Sequence, residues 1–154
     1  MSVEAAAVRS LDYRLSPLPV RTGLIAAQQR AWARLGLPGE WWSGAVRIAI
    51  AEETRAAEHC GFCRERKAAL SPYAVTGAHE TATDLPEALV EVIHRIRTDP
   101  GRLTRRFYEE ALAGGLSDAE YVETVGVMAT VIAIDSFCDA MGLPRHRLPA
   151  PVAG

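Results

Sequence analysis

The chain has 154 residues, 49% of them hydrophobic and 23% charged, which is the size and balance of one globular domain. Seventeen Lys and Arg against 19 Asp and Glu leave a net charge of -2, and only 6% of residues are aromatic, so neither a basic stripe nor a stacking platform for nucleic acid is expected. Three cysteines do not make a disulfide scaffold, Met1–Ser10 carries no apolar signal core, and the most apolar run, Glu123 to Asp135, is short for a bilayer span; a cytoplasmic chain without a membrane partner is expected.

The pattern along the chain predicts an all-α fold. Runs rich in Ala, Leu, Glu and Arg recur, and no stretch alternates with period two. Residues 1–20 are expected to be an N-terminal arm, since Ser16-Pro17-Leu18-Pro19 has no helix in it. Thr22 is placed to cap a first helix through Ile25, Gln29 and Trp32, with Gly36 as its stop. After the Pro38-Gly39 turn a second helix is expected from about Trp41 to Ala57. Cys60-Gly61-Phe62-Cys63 follows, and Arg64–Leu70 reads as further helix until Ser71-Pro72. Residues 73–83 read as a loop.

Asp84 and Glu87 have capping-box spacing, with Pro86 early in the helix they would open. That helix sets Leu89, Val92, Ile93 and Ile96 on one face and ends at Asp99-Pro100-Gly101. The next carries Leu103, Phe107 and Ala111 up to Gly114-Gly115. Ser117 and Glu120 form a second capping box, with Leu116 and Tyr121 as its hydrophobic staple, and open a helix to about Met141, where Gly142 stops it. This last helix is apolar on almost every side, so burial all round or at a subunit interface is expected. Residues 21–143 are expected to form one helical domain, and 144–154 an extended Pro-rich tail that leaves His146 at the surface.

Cys60 and Cys63 are the strongest chemical signal. Two thiols three residues apart can close a small disulfide. One placed at a helix N-terminus has its thiolate stabilised by the helix dipole and free N–H groups. Gly61 lets a new helix start there, which puts Cys60 near the N-cap and Cys63 in the first turn. Arg64, Arg66 and Lys67 add positive charge. At least one of the two sulfurs is expected to be partly open to solvent. The alternative is two cysteines packed in a core.

In the preceding helix Trp42, Val46, Ala49, Ile50 and Ala57 form an apolar stripe, and Glu53 falls inside it. A buried acid needs a partner. Such a carboxyl, with a raised pKa, could relay a thiol proton, or it could be half of a structural ion pair. His94 lies opposite the Leu89–Ile96 stripe, on a face with Glu87, Glu91 and Thr98, and relays a proton only if that face meets the cysteines. His79 sits in the loop, and His59 adjoins Cys60. Cys138 reads as a buried structural thiol, and Asp135 needs an Arg or a helix end as partner.

The stretch Ala45–Leu70, with its cysteine pair after an amphipathic helix, resembles the alkylhydroperoxidase D-like proteins of the carboxymuconolactone decarboxylase superfamily. The pattern from His94-Arg95-Ile96 through Asp99-Pro100-Gly101 to Gly114-Gly115-Leu116-Ser117 is similar to the alkylhydroperoxidase-related branch, and the likeness spans most of residues 40–143. It implies a helical bundle of about six helices, homo-oligomers, and a cysteine pair that reduces peroxides or exchanges disulfides with a thiol reductant or adaptor protein. Where peroxidase members carry a His four residues after the second cysteine this chain has Lys67. Where some have a His before that cysteine it has Phe62. Near the usual position of the relay glutamate it has Ile48.

The expected function is therefore a thiol-dependent oxidoreductase, with Cys60, Cys63, Glu53 and His94 as its candidate residues and no cofactor. A decarboxylase-like lyase and a non-enzymatic redox sensor are the alternatives. Metal binding by Cys60, Cys63 and two histidines ranks last, because no second closely spaced ligand pair stands in the sequence.

Overall fold

Glycine, proline and hydroxyl caps cut the chain into helices much where the pattern places them. The computed structural model describes residues 11–153. Among these the protein is all-α, 62% helix in six helices, with no strand. They are α1 (Thr22–Leu35), α2 (Gly44–Ala56), α3 (Gly61–Ala68), α4 (Glu87–Thr98), α5 (Arg105–Ala113) and α6 (Asp118–Ala140), with single 3-10 turns at Ala57–His59, Pro72–Ala74 and Pro100–Arg102. The first ten residues of the expected arm lie outside the described residues; 11–20 and the tail 144–153 carry no helix.

Several helix starts differ from expectation. Arg21, not Thr22, is the N-cap of α1. The second helix begins three residues late because Ser43 caps it, its Oγ accepting from the Val46 N–H at 3.3 Å. The Asp84–Glu87 box does not form: Pro86 is the N-cap of α4, and no side chain caps it. The Ser117–Glu120 box does form, with the Ser117 N–H donating to Glu120 Oε2 at 2.9 Å and the Glu120 N–H to Ser117 Oγ at 3.2 Å. Gly142, at φ 66, ends α6 in the left-handed region that glycine adopts without strain.

Two compact units make up the chain, Met1–Ile48 with Ala129–Gly154, and Ala49–Met128. In the first, Trp32 is fully buried and its indole N–H donates to the Arg147 carbonyl at 2.8 Å, while the Val152 N–H donates to the Gly36 carbonyl at 2.8 Å. The tail is thus pinned to helix ends. It passes so near that a Cβ on Gly36 would lie 2.5 Å from the Ala150 oxygen, and one on Gly44 2.8 Å from the Val152 oxygen. His146, expected at the surface, is buried, edge-on to Tyr13 at 5.3 Å and to Trp32 at 6.4 Å. Asp135 has the expected arginine, Arg145, at 3.7 Å.

The second unit sets α2, α3 and α4 around one point. α3 is short and marginal alone. Arg102 closes its C-terminal end, donating to the Arg66 and Ala69 carbonyls at 2.8 Å each and to Asp99 at 2.6 Å. α4 is buried well beyond a single stripe: Leu89, Val90, Val92, Ile93, His94 and Arg95 are all inside.

The last helix is not buried all round. Thr124, Val127, Met128, Val131, Ile134, Asp135 and Cys138 form its buried stripe, while Val122 is 66% exposed and Ala129 and Ala133 face outward. At 23 residues, with mean hydropathy 1.4 over its most apolar stretch, the helix as a whole is long and apolar enough to cross a membrane, unlike the uncharged run within it.

Candidate functional site: a Cys2His2 cluster backed by two carboxylates

Gly61 starts α3 directly after the extended Cys60, so Cys60 becomes the N-cap and Cys63 falls in the first turn, as the spacing predicts. Both thiols are free, and both are buried, 1% and 2% exposed, so the expectation of a solvent-open sulfur is not met. The segment between Ala74 and Glu87 folds onto the pair: Gly77 lies against the Phe62 ring, the Gly61 N–H donates to Glu80 at 3.1 Å, and the His79 ring sits edge-on to Phe62 at 5.1 Å.

Two imidazoles converge on the sulfurs. His79 Nδ1 lies 3.4 Å from Cys63 Sγ and 3.8 Å from Cys60 Sγ, and His94 Nδ1 lies 3.3 Å from Cys63 Sγ. Each ring is held from behind by a carboxylate, His94 Nε2 at 2.8 Å from Glu53 Oε1 and His79 Nε2 at 2.6 Å from Glu91 Oε2. Glu53 is fully buried and has two further donors, the Thr83 hydroxyl at 2.6 Å and the Ala82 N–H at 3.1 Å. A buried carboxylate without such donors would cost several kcal/mol, on the order of the penalties measured for unpaired charges. Glu91 is anchored in turn by Arg66 Nη1, at 2.8 and 2.9 Å. Arg66 also lies over the Phe62 ring at 4.5 Å.

The electrostatics divide the two histidines. Burial opposes a proton on His79, but hydrogen bonds to Cys63, Glu91 and Cys60 outweigh it and push its pKa up to about 10. Burial likewise raises the Glu91 carboxyl, yet the bonds from His79 and Arg66 bring it down to about 2. Burial lowers His94, and the charge of His79 adds to that against the pull of Glu53. The two rings are thus pushed in opposite directions, His79 toward holding its proton and His94 toward losing it. Burial pushes the Cys60 thiol up, but the backbone N–H groups of Glu80 and Cys63, with His79, bring it below its ordinary value.

The sequence expectations rearrange accordingly. Glu53 is buried but reaches no sulfur; it holds His94, so the two act as a pair and not as rivals. His94 leaves the solvated face assigned to it because α4 is buried on that side too: Val90, one turn before, is 3% exposed. His79 reaches both cysteines. His59 faces solvent, as do Arg64 and Lys67, and of the three expected cations only Arg66 acts on the site, two steps away through Glu91 and His79. Sequence reasoning missed Glu91 and Thr83. Metal binding ranked last for want of a second ligand pair, yet the fold supplies one from residues 15 apart: one ligand atom each from Cys60, Cys63, His79 and His94 lies within 4.8 Å of all the others. No family profile, curated protein or solved structure matches the chain.

Proposed function

We propose that the protein is a thiol-dependent oxidoreductase that reduces hydroperoxides through a Cys60–Cys63 thiol–disulfide cycle. The observation that carries this reading is the pairing of the two free cysteines with two carboxylate-held histidines.

Cys60 is the attacking thiolate. It sits at the N-terminus of α3 with backbone N–H groups and the His79 imidazolium around it. Its sulfur attacks the terminal oxygen of a hydroperoxide; the S–O bond forms, the O–O bond breaks, and the leaving alkoxide takes a proton from His79. Cys63 then gives its proton to His94, whose Nδ1 faces it, and attacks the Cys60 sulfur. The S–S bond forms, the S–O bond breaks, and the departing hydroxide takes that proton back from His94 and leaves as water. A dithiol or adaptor protein returns both thiols by exchange. Glu53 is a positioning residue: by accepting from His94 Nε2–H it keeps the lone pair on Nδ1, facing Cys63. Because both sulfurs are buried, a substrate reaches them only when the structure around them opens.

In this reading the chain is an alkylhydroperoxidase D-like bundle in a reducing compartment such as the cytoplasm, and it assembles as a homo-oligomer. The outward-facing Val122, Ala129 and Ala133 of α6 support self-association. Light scattering should give a multiple of 16.7 kDa, and a monomer alone at micromolar concentration would remove that part.

The activity itself is tested by hydroperoxide consumption with a dithiol reductant. Turnover should be lost in Cys60→Ser and in Cys63→Ser. Full turnover in either variant would overturn the cycle.

A further inference from the structure

We infer that Cys60, Cys63, His79 and His94 are also the four ligands of a tetrahedral metal site for a zinc-class divalent ion. Zinc binds sulfur at about 2.3 Å and imidazole nitrogen at about 2.0–2.1 Å, so a tetrahedron sets neighbouring sulfur and nitrogen ligands about 3.5 Å apart. Three of the four sulfur–nitrogen separations here are 3.3, 3.4 and 3.8 Å, and the fourth, Cys60 to His94, is within 4.8 Å. All four ligand atoms fall within 4.8 Å of one another, so contraction onto a common centre needs only small side-chain shifts.

The surroundings point the same way. Both histidines present Nδ1 to the sulfurs and offer Nε2–H to a carboxylate, Glu91 for His79 and Glu53 for His94. That is the arrangement which fixes the tautomer and orientation of a metal-ligating imidazole and strengthens it as a donor. Two sulfurs and two nitrogens in a tetrahedron select zinc over magnesium, calcium or manganese, which take oxygen ligands. Four protein ligands, all buried or nearly so, make a closed site of the structural kind, without an open coordination position. The metal takes both sulfurs as thiolates and both imidazoles as neutral rings, so the ion is held by the reduced pair and competes with disulfide formation.

The site rests on the ligand geometry and not on the redox reading. The probe is Co2+ added to the reduced, chelator-treated full chain, followed by Zn2+. The expected result is one Co2+ per chain, with the intense visible bands of a tetrahedral thiolate complex, and displacement by Zn2+. His79→Gln and His94→Gln should abolish those bands, while His59→Gln should keep them. Glu53→Gln and Glu91→Gln should weaken affinity by about 10- to 100-fold. X-ray absorption on the Zn2+-loaded wild-type chain needs no variant and should return two sulfur and two nitrogen neighbours. A reduced, folded chain without tetrahedral Co2+ bands, bands that persist without both histidines, or a shell lacking either element would overturn the site. Tetrahedral Co2+ in a chain whose metal-free form is inert to hydroperoxide would remove the redox reading alone; peroxide turnover with no Co2+ bands would remove the metal site alone.

Discussion

His146 and His94 are both buried, and their surroundings have little in common. His146 belongs to the unit formed by Met1–Ile48 and Ala129–Gly154, where the rings of Tyr13 and Trp32 pack around it. His94 belongs to the unit Ala49–Met128 and has a thiol on one nitrogen and a buried carboxylate on the other. The first environment is what an apolar core does with an amphipathic ring. The second gathers two cysteines, two histidines and two glutamates where hydrophobic residues of like volume would cost less desolvation. One unit spends its burial on holding a tail in place, and the other keeps a polar cluster that is explained by chemistry.

Glu53→Gln separates the two environments by the largest effect. The amide can still accept from Ala82 and Thr83, but its NH2 then meets His94, which must turn its lone pair to Nε2 and its N–H toward Cys63. Peroxide turnover at pH 7 should fall by about 10²- to 10⁴-fold, the range for losing a correctly oriented base, with about 1 kcal/mol of stability lost. A large fall in melting temperature with an intact rate would instead make Glu53 half of a structural pair. Trp32→Ala is the mirror experiment. It should cost about 3–5 kcal/mol in urea unfolding, and the thiol reaction rate of the folded chain should stay the same; an altered rate would break the division between the two units.

Smaller effects follow. Zn2+ at about 100 times its Kd should add about 2.7 kcal/mol, raising Tm by about 5–10 °C for a chain of this size, and Cys63→Ser should erase the rise. Gly44→Ala should cost about 1–3 kcal/mol by overpacking, since its Cβ would lie 2.3 Å from the Gly36 carbonyl oxygen. Ser117→Ala should cost about 1 kcal/mol in thermal unfolding through the lost α6 cap, with no effect on the thiols.

What the sequence reveals follows from how local each feature is. Helix periodicity, the stops at Gly36, Gly114 and Gly142, the Ser117–Glu120 box and the N-cap position of Cys60 all depend on a few neighbouring residues, and all are legible. The Asp84 box fails because Pro86 takes the capping position. Glu53 stands out because it interrupts an apolar stripe, but its partners come from residues 82, 83 and 94, and no spacing rule reaches them. His94 looks solvated beside Glu87 and Glu91. The overlooked signal is Val90, which widens the apolar face of α4 toward it. The second ligand pair is assembled by the 75–86 segment folding back on α3, a tertiary event that leaves no periodic trace.

The most direct test is to treat the reduced, metal-free chain with a single equivalent of hydroperoxide and map its three cysteines by mass spectrometry. A Cys60–Cys63 disulfide is expected, with Cys138, fully buried on α6, still a free thiol. Cys60 and Cys63 both remaining free, or Cys138 oxidised ahead of them, would contradict it.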